Sequence, residues 1–373
     1  MQFQKVVGLE SIKKHLIRQV QENKVPHAQL FLNRPGAGGL PLALAFAQYL
    51  VCQNPSDTDS CGVCPSCGKA QKLIHPDIHM TYPVIRPENS NKIPLSEHFA
   101  LPWRTLILKN PYVSEYEWLH TINTDIKQGN ITREEASKII QNLNLKSFEN
   151  GYKVQIIWMA ENLAEVGNAL LKIIEEPPEK SVIILVAENQ EAILSTIISR
   201  TQILQIPDLK EAEITERLIQ DFQLNQETAK EYAYISSGSF RKAQQLASGE
   251  VEGFSEDLKN WLVYCMRGPS ADLVKWTETR HAKGREYLKK FFDYTIQIFR
   301  ETLVSKYTNN ELMPRVSKIE IPVTQALMKY IDHDNLYELI PRIEETAYHI
   351  ERNSNAKISL LNLSIDMRKI LKK

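Results

Sequence analysis

Four cysteines lie between positions 52 and 67 in the pattern Cys52-x8-Cys61-x2-Cys64-x2-Cys67. Repeated x2 spacing lets one tight turn offer several sulfur ligands, and four thiolates complete the tetrahedral shell of a structural Zn²⁺ site. Gly62 and Pro65 let the backbone fold round an ion. The expectation is one structural zinc per chain on Cys52, Cys61, Cys64 and Cys67, with no position left open for catalysis. His75 and His79 are then surplus as ligands, and Cys265 reads as an ordinary buried thiol. Free or oxidised thiols are the bland alternative, and the spacing disfavours it. No basic recognition helix follows, so a DNA-reading finger is not expected.

A second stretch has the layout of phosphate chemistry without its reagents. An apolar run at 30–32 leads into Asn33-Arg34-Pro35-Gly36-Ala37-Gly38-Gly39-Leu40-Pro41 and then an apolar helical segment. A working loop of this kind runs G-x-x-x-x-G-K-[ST], with lysine on the β/γ-phosphates and the hydroxyl on Mg²⁺. With Gly38 as the last glycine, Gly39 and Leu40 stand in those places, and Asn33 takes the first glycine's. The strand 152–160 ends in Trp158 and Met159, where an ATPase keeps acidic residues for Mg²⁺ and the attacking water. Glu161, two residues later, reads as a helix cap rather than a substitute. No ATP is expected to bind this chain.

Positioning these stretches requires alternating strands and helices. Apolar runs at 30–32, 78–83, 152–160, 181–187 and 203–206 read as strands, separated by helices at 42–51, 132–143, 168–176 and 193–199. Thr132 and Glu135 have the spacing of a capping box. This order predicts an α/β, P-loop NTPase-like domain with a mainly parallel sheet over 1–207, carrying the cysteine module at 52–67. Periodicity fails over 84–128, which reads as an insertion with some helix of its own. Its aromatics, Trp103, Tyr112 and Trp118 among them, have only Arg86, Lys92, Arg104 and Lys109 as basic company. Packing on the domain or on a partner is favoured over single-stranded nucleic acid. Short helices fill 208–249, and 250–373 is amphipathic helix of the bundle kind, ending in Arg368-Lys369 and Lys372-Lys373, read as a solvated helix end.

Lys plus Arg and Asp plus Glu both number 45 in 373 residues, so no general basic field draws the chain to nucleic acid. No signal-like N-terminus or membrane span is legible, and a cytoplasmic location without membrane partners is expected.

Taken together, His27-Ala28-x-Leu30-Phe31, the degenerate loop, the cysteine module and His75-Pro76-Asp77 resemble the delta-prime family of bacterial DNA polymerase III clamp-loader subunits. So do Lys153-Val154, the segment 168–178 with its Glu175-Glu176-Pro177-Pro178, Ser199-Arg200-Thr201 and Gly238-Ser239-x-Arg241. The resemblance covers residues 1 to about 245. It implies an AAA+ domain, a small helical lid (208–249) and an all-α collar (250–373) in a hetero-oligomeric ring with gamma/tau and delta subunits. The ring loads a sliding clamp on primed DNA. It further implies that Arg200, in its Ser199-Arg200 motif, is an arginine finger reaching the ATP of a neighbouring subunit. Thr201 departs from the family's usual cysteine. Ala187-Glu188 replaces the polar sensor of active members, and Arg241 is expected to serve the lid structurally. A gamma/tau-like active ATPase and a zinc-dependent nucleic-acid-binding protein are the competing readings. The missing lysine, hydroxyl and acidic pair weigh against the first, and zero net charge against the second.

Overall fold

The computed structural model describes residues 1–85, 93–122, 129–149, 151–249, 252–308, 315–318, 320–351 and 354–371. Arg86, Lys92 and Lys372-Lys373 lie outside them. The chain divides into two compact units, Met1–Ala233 with Ser237–Ala243 and Tyr234–Ser236 with Gln244–Lys373.

The first unit is built on a sheet of strands β1 (Ala28–Asn33), β2 (Ile78–Thr81), β3 (Lys153–Trp158), β4 (Ser181–Ala187) and β5 (Gln202–Ile206), ordered β2-β3-β4-β1-β5. Every pairing is parallel. Strands β1, β3 and β4 are buried along their whole length, as near-continuous apolar runs must be when helices cover both faces. Leu32 pairs with Ala187 and Trp158 with Val186, so the carboxyl ends of the three central strands open on one edge. In parallel sheets that edge is where ligands bind.

Around the sheet lie α1 (Glu10–Gln21), α2 (Gly39–Val51), α3 (Pro65–Gln71), α4 (Ala100–Lys109), α5 (Glu115–Ile122), α6 (Arg133–Asn144), α7 (Leu171–Glu175), α8 (Ser195–Ile198) and α9 (Glu211–Phe222). Helix α2 is buried all round, which its lack of any charged residue permits. At α6 the capping box forms only by half. Thr132 Oγ1 accepts the Glu135 N–H at 3.2 Å, but the Glu135 carboxylate turns inward to the Thr81 hydroxyl at 3.1 Å and the Ser96 N–H at 2.8 Å.

Two expected helices differ in form. The segment from 168 begins as 3₁₀ turns over Ala160–Leu170, broken at Ala164, and becomes α-helical only at α7. It stops because Glu176, preceding Pro177, cannot hold helical geometry. The helix expected over 193–199 shrinks to the single turn α8, because Ile193 is extended (φ −88°, ψ 135°) and buried in the core.

Helices α10 (Gln226–Ser236) and α11 (Phe240–Ala247) follow. The second unit then contains α12 (Glu252–Met266), α13 (Ser270–His281), α14 (Arg285–Tyr307), α15 (Ile321–Leu327), α16 (His333–Glu351) and α17 (Ala356–Ile370). Trp261 and Trp276 stack at 5.5 Å in its core, and the Trp261 indole donates to Ser364 Oγ at 2.8 Å. Arg368 corrects the reading of a merely solvated helix end. Its guanidinium donates to the carbonyls of Cys265, Tyr264 and Gly268 at 2.8–3.0 Å, satisfying acceptors that the end of α12 leaves open. No helix among the described residues is long and apolar enough to cross a membrane.

Candidate functional site

The four cysteines meet where α2 ends and α3 begins. Cys52 is the C-cap of α2, Cys64 the N-cap of α3 with Pro65 at the first helical position, and Cys67 sits in the first turn. Their sulfurs lie within 4.8 Å of one another. Cys61 and Cys67 sulfurs are 3.9 Å apart, close to the roughly 3.8 Å that a tetrahedron with metal–sulfur bonds of about 2.3 Å requires. Backbone N–H groups point at the sulfurs in sequence: Cys61 N–H to Cys52 Sγ at 3.2 Å, Cys64 N–H to Cys61 Sγ at 3.3 Å, and Cys67 N–H to Cys64 Sγ at 3.4 Å. The N–H groups of Cys64 and Val63 draw the Cys61 thiol down to about 6, whereas burial pushes Cys52 and Cys67 up. A cation among the four would favour thiolate at all of them. The loop before Cys61 is pinned from outside: Asp59 accepts the N–H groups of Phe3 and Gln4 at 3.0 Å, and Ser60 Oγ accepts from Gln48 Nε2 at 2.9 Å.

The degenerate loop sits at the carboxyl edge of the sheet. Gly36 (φ 80°) and Gly38 (φ 103°) hold left-handed backbone that favours glycine. A side chain at Gly36 would also strike Ser239 Oγ and the Arg241 Cβ at 2.7 Å. At Gly39 a Cβ would overlap the Asn33 amide, whose carbon lies 2.8 Å from it. Asn33 and Gly39 are therefore a matched pair, since the Asn33 side chain fills the space that a side chain at 39 would need.

Trp158 stands at the end of β3, 2% exposed, with its ring 5.0 Å from Trp103. Trp103 in turn stacks on Tyr82 at 4.0 Å and meets Trp118 edge-on at 4.9 Å. The insertion's aromatics thus pack on the domain. Arg241 reaches into the same cleft, donating to the carbonyls of Tyr112 (2.8 Å) and Val113 (2.6 Å) and to the Glu188 carboxylate (2.9 Å). The remaining cavity is about 10 Å³, on the order of one water molecule. Glu161 stands in the first turn of the segment Ala160–Leu170, the place expected for it, but its carboxylate also turns to the end of β4. Its Oε1 accepts the Glu188 N–H at 3.1 Å, its Oε2 is buried with no hydrogen-bond partner among the described residues, and burial pushes its carboxyl up to about 7.

Arg200 follows α8 on the surface. Its Nε pairs with the Glu175 carboxylate, and Nη1 donates to the Thr196 carbonyl at 3.1 Å and Ser199 Oγ at 3.2 Å. Arg200, the cysteine cluster and the loop are three separate places on one unit, not one constellation. Tyr112 and Val113 were not legible as cleft residues, because nothing in their spacing links them to a loop some seventy positions earlier.

A parallel α/β domain with a phosphate-loop layout stripped of its cation, and a four-cysteine cluster beside it, defines the class. The sequence matches the family described as "DNA polymerase III, delta subunit" over residues 8–210, more than half of the chain, and the chain belongs to that family. It is 26% identical over 210 residues to the DNA polymerase III subunit delta' of Bacillus subtilis (strain 168), covering 56% of this chain and 50% of that protein. To the subunit delta' of Escherichia coli (strain K12) it is 27% identical over 258 residues, covering 69% and 64%. The chain thus spans between half and two-thirds of the length of these relatives. A solved DNA polymerase III gamma subunit-related protein from Thermotoga maritima aligns over 96% of this chain and 99% of its own, at 17% identity and a TM-score of 0.42.

Proposed function

We propose that this chain is a non-catalytic, delta-prime-type subunit of a bacterial DNA polymerase III clamp loader, supplying scaffold and one arginine rather than ATP turnover. One observation carries the reading: a member of this family has lost the lysine, the hydroxyl and the acidic pair of one cleft, at Gly39, Leu40, Trp158 and Met159. Phosphoryl transfer is catalysed almost wholly by positioned charge, so a cleft without it has no means of hydrolysis. The delta' names of the relatives support the subunit type.

On this reading residues 1–207 form the AAA+ domain, 208–249 the lid and 250–373 the collar. The four cysteines hold one structural Zn²⁺, whose bonds would staple the end of α2 to the start of α3. Arg200, oriented by Ser199 and Thr196, acts in trans on the ATP of an adjoining gamma/tau subunit. Delta completes the ring, the sliding clamp and primed DNA are met through the assembly, and its place is the cytoplasm. The test is co-purification with the gamma/tau and delta chains of the same source. A stoichiometric complex that loads a clamp is the expected result, and failure to assemble at micromolar concentrations removes the reading.

A further inference from the structure

The cleft at the carboxyl edge of the sheet is filled by the chain itself. It narrows to a cavity of about 10 Å³ lined by the loop 36–40, the ends of β3 and β4, the start of α11 and, from the insertion, Pro111, Tyr112 and Val113. We infer that this turn, 110–113, is a built-in occupant. It stands where a nucleoside polyphosphate would otherwise sit, and it holds the 239–241 turn that a bound nucleotide would otherwise hold.

Three observations converge on it. Tyr112 is buried, its ring lies 4.9 Å from Phe240, and its Cε1 is 3.3 Å from where a Cβ on Gly38 would be. Its Oη accepts the Val7 N–H at 2.8 Å, tying the chain before α1 to the insertion. Arg241 carries the kind of planar cation that elsewhere takes phosphate oxygens. Here it is committed to two backbone carbonyls of the turn and to Glu188, with only 13% of its side chain exposed. The turn itself is braced, since Tyr112 N–H donates to Asn110 Oδ1 at 3.0 Å and Trp103 and Trp118 anchor the helices on either side of it. An occupant tethered within the chain acts at an effective concentration of about millimolar or more, so a diffusing nucleotide competes poorly even where the loop chemistry is intact.

The inference rests on reading 33–40 as a phosphate-type loop and is independent of ring assembly, so co-purification of the unaltered chain can succeed while this fails. The test uses the full chain with Mg-ATP and Mg-ADP as calorimetric probes. Asn33→Gly, Gly39→Lys and Leu40→Thr together rebuild the loop, the first clearing the space that a side chain at 39 needs. This rebuilt loop alone is expected to stay silent. Adding Tyr112→Ala and Val113→Gly to it is expected to give saturable binding in the micromolar range. Equal binding by the two forms overturns the inference, as does a folded five-substitution form that binds neither probe. A second measurement needs no rebuilt loop: Arg241→Ala in the otherwise unaltered chain is expected to speed amide exchange across 110–113 by about tenfold or more, as local opening predicts. Unchanged exchange there overturns the holding role of Arg241.

Discussion

Arg200 is held at rest by Glu175, a pair with 36% and 47% of the two side chains exposed. Exposed pairs of this kind are worth about 0–1 kcal/mol, so the tether is light enough to be exchanged for a phosphate. Arg200→Ala is expected to leave assembly and metal content intact while turnover at the one adjoining ATP site falls by on the order of 10³-fold or more. Clamp- and DNA-stimulated ATPase of the assembled ring measures it, and lysine should rescue poorly because it lacks the planar fork. Wild-type loading by an assembled Arg200→Ala ring would make Arg200 a surface residue. Cys64→Ser should lower both metal content and melting temperature, since a structural metal contributes to folding directly. Full occupancy by metal analysis would remove Cys64 from the ligands. Glu161 sets a pH dependence. Its folded value of about 7, raised mainly by burial and further by Glu188, lies above the ordinary 4.5. Between those values the folded chain binds more protons than the unfolded one, so this group's contribution falls as pH rises from about 4.5 through 7. Glu161→Gln should therefore gain melting temperature relative to the unaltered chain at pH 8 and lose that advantage near pH 4.5. An equal offset at both pH values would rule out this titration.

The insertion's two helices owe their place to aromatic burial. Trp103 touches Tyr82, Trp118 and Trp158, linking α4 to α5 and to the end of β3. Trp103→Ala removes that hub, and a buried tryptophan so truncated costs about 3–5 kcal/mol. Denaturant unfolding of the full chain should show it, and a midpoint unmoved within error would mean that the insertion folds apart from the sheet. In the second unit, Arg368 closes the end of α12 through three carbonyls. Arg368→Ala leaves those acceptors without their donor, at about 1–3 kcal/mol. Faster amide exchange is expected across 264–270, and intact protection there would return Arg368 to the role of a solvated end.

For the molecule as a whole, the expected behaviour is silence towards nucleotide. Mg-ATP calorimetry of the unaltered chain should be flat at high micromolar protein, and saturable binding with turnover would overturn the non-catalytic reading. A phosphate or sulfate weakly held near the start of α2 would not, because backbone N–H groups at a helix N-terminus attract anions without any lysine.

Local chemistry made much of this legible in the sequence. Sulfur spacing marks the cysteine cluster because ligands a few residues apart must meet. The strands β1, β3 and β4 declare themselves because burial on both faces demands uninterrupted apolar runs. The lost lysine, hydroxyl and acidic pair are absences at fixed offsets, and the alternation of elements forces a parallel sheet. Tertiary structure decided what depends on residues distant in the chain. It sent Glu135 inward to Thr81 and Ser96 instead of back to its own helix, and it turned Glu161 to the end of β4. It made Arg368 a clasp on another helix. Above all it carried Tyr112 and Val113 across from the insertion to meet Arg241, 128 positions away for Val113. No periodicity encodes that meeting, because a turn is placed by the helices flanking it, and those are placed by where their tryptophans find a hydrophobic wall.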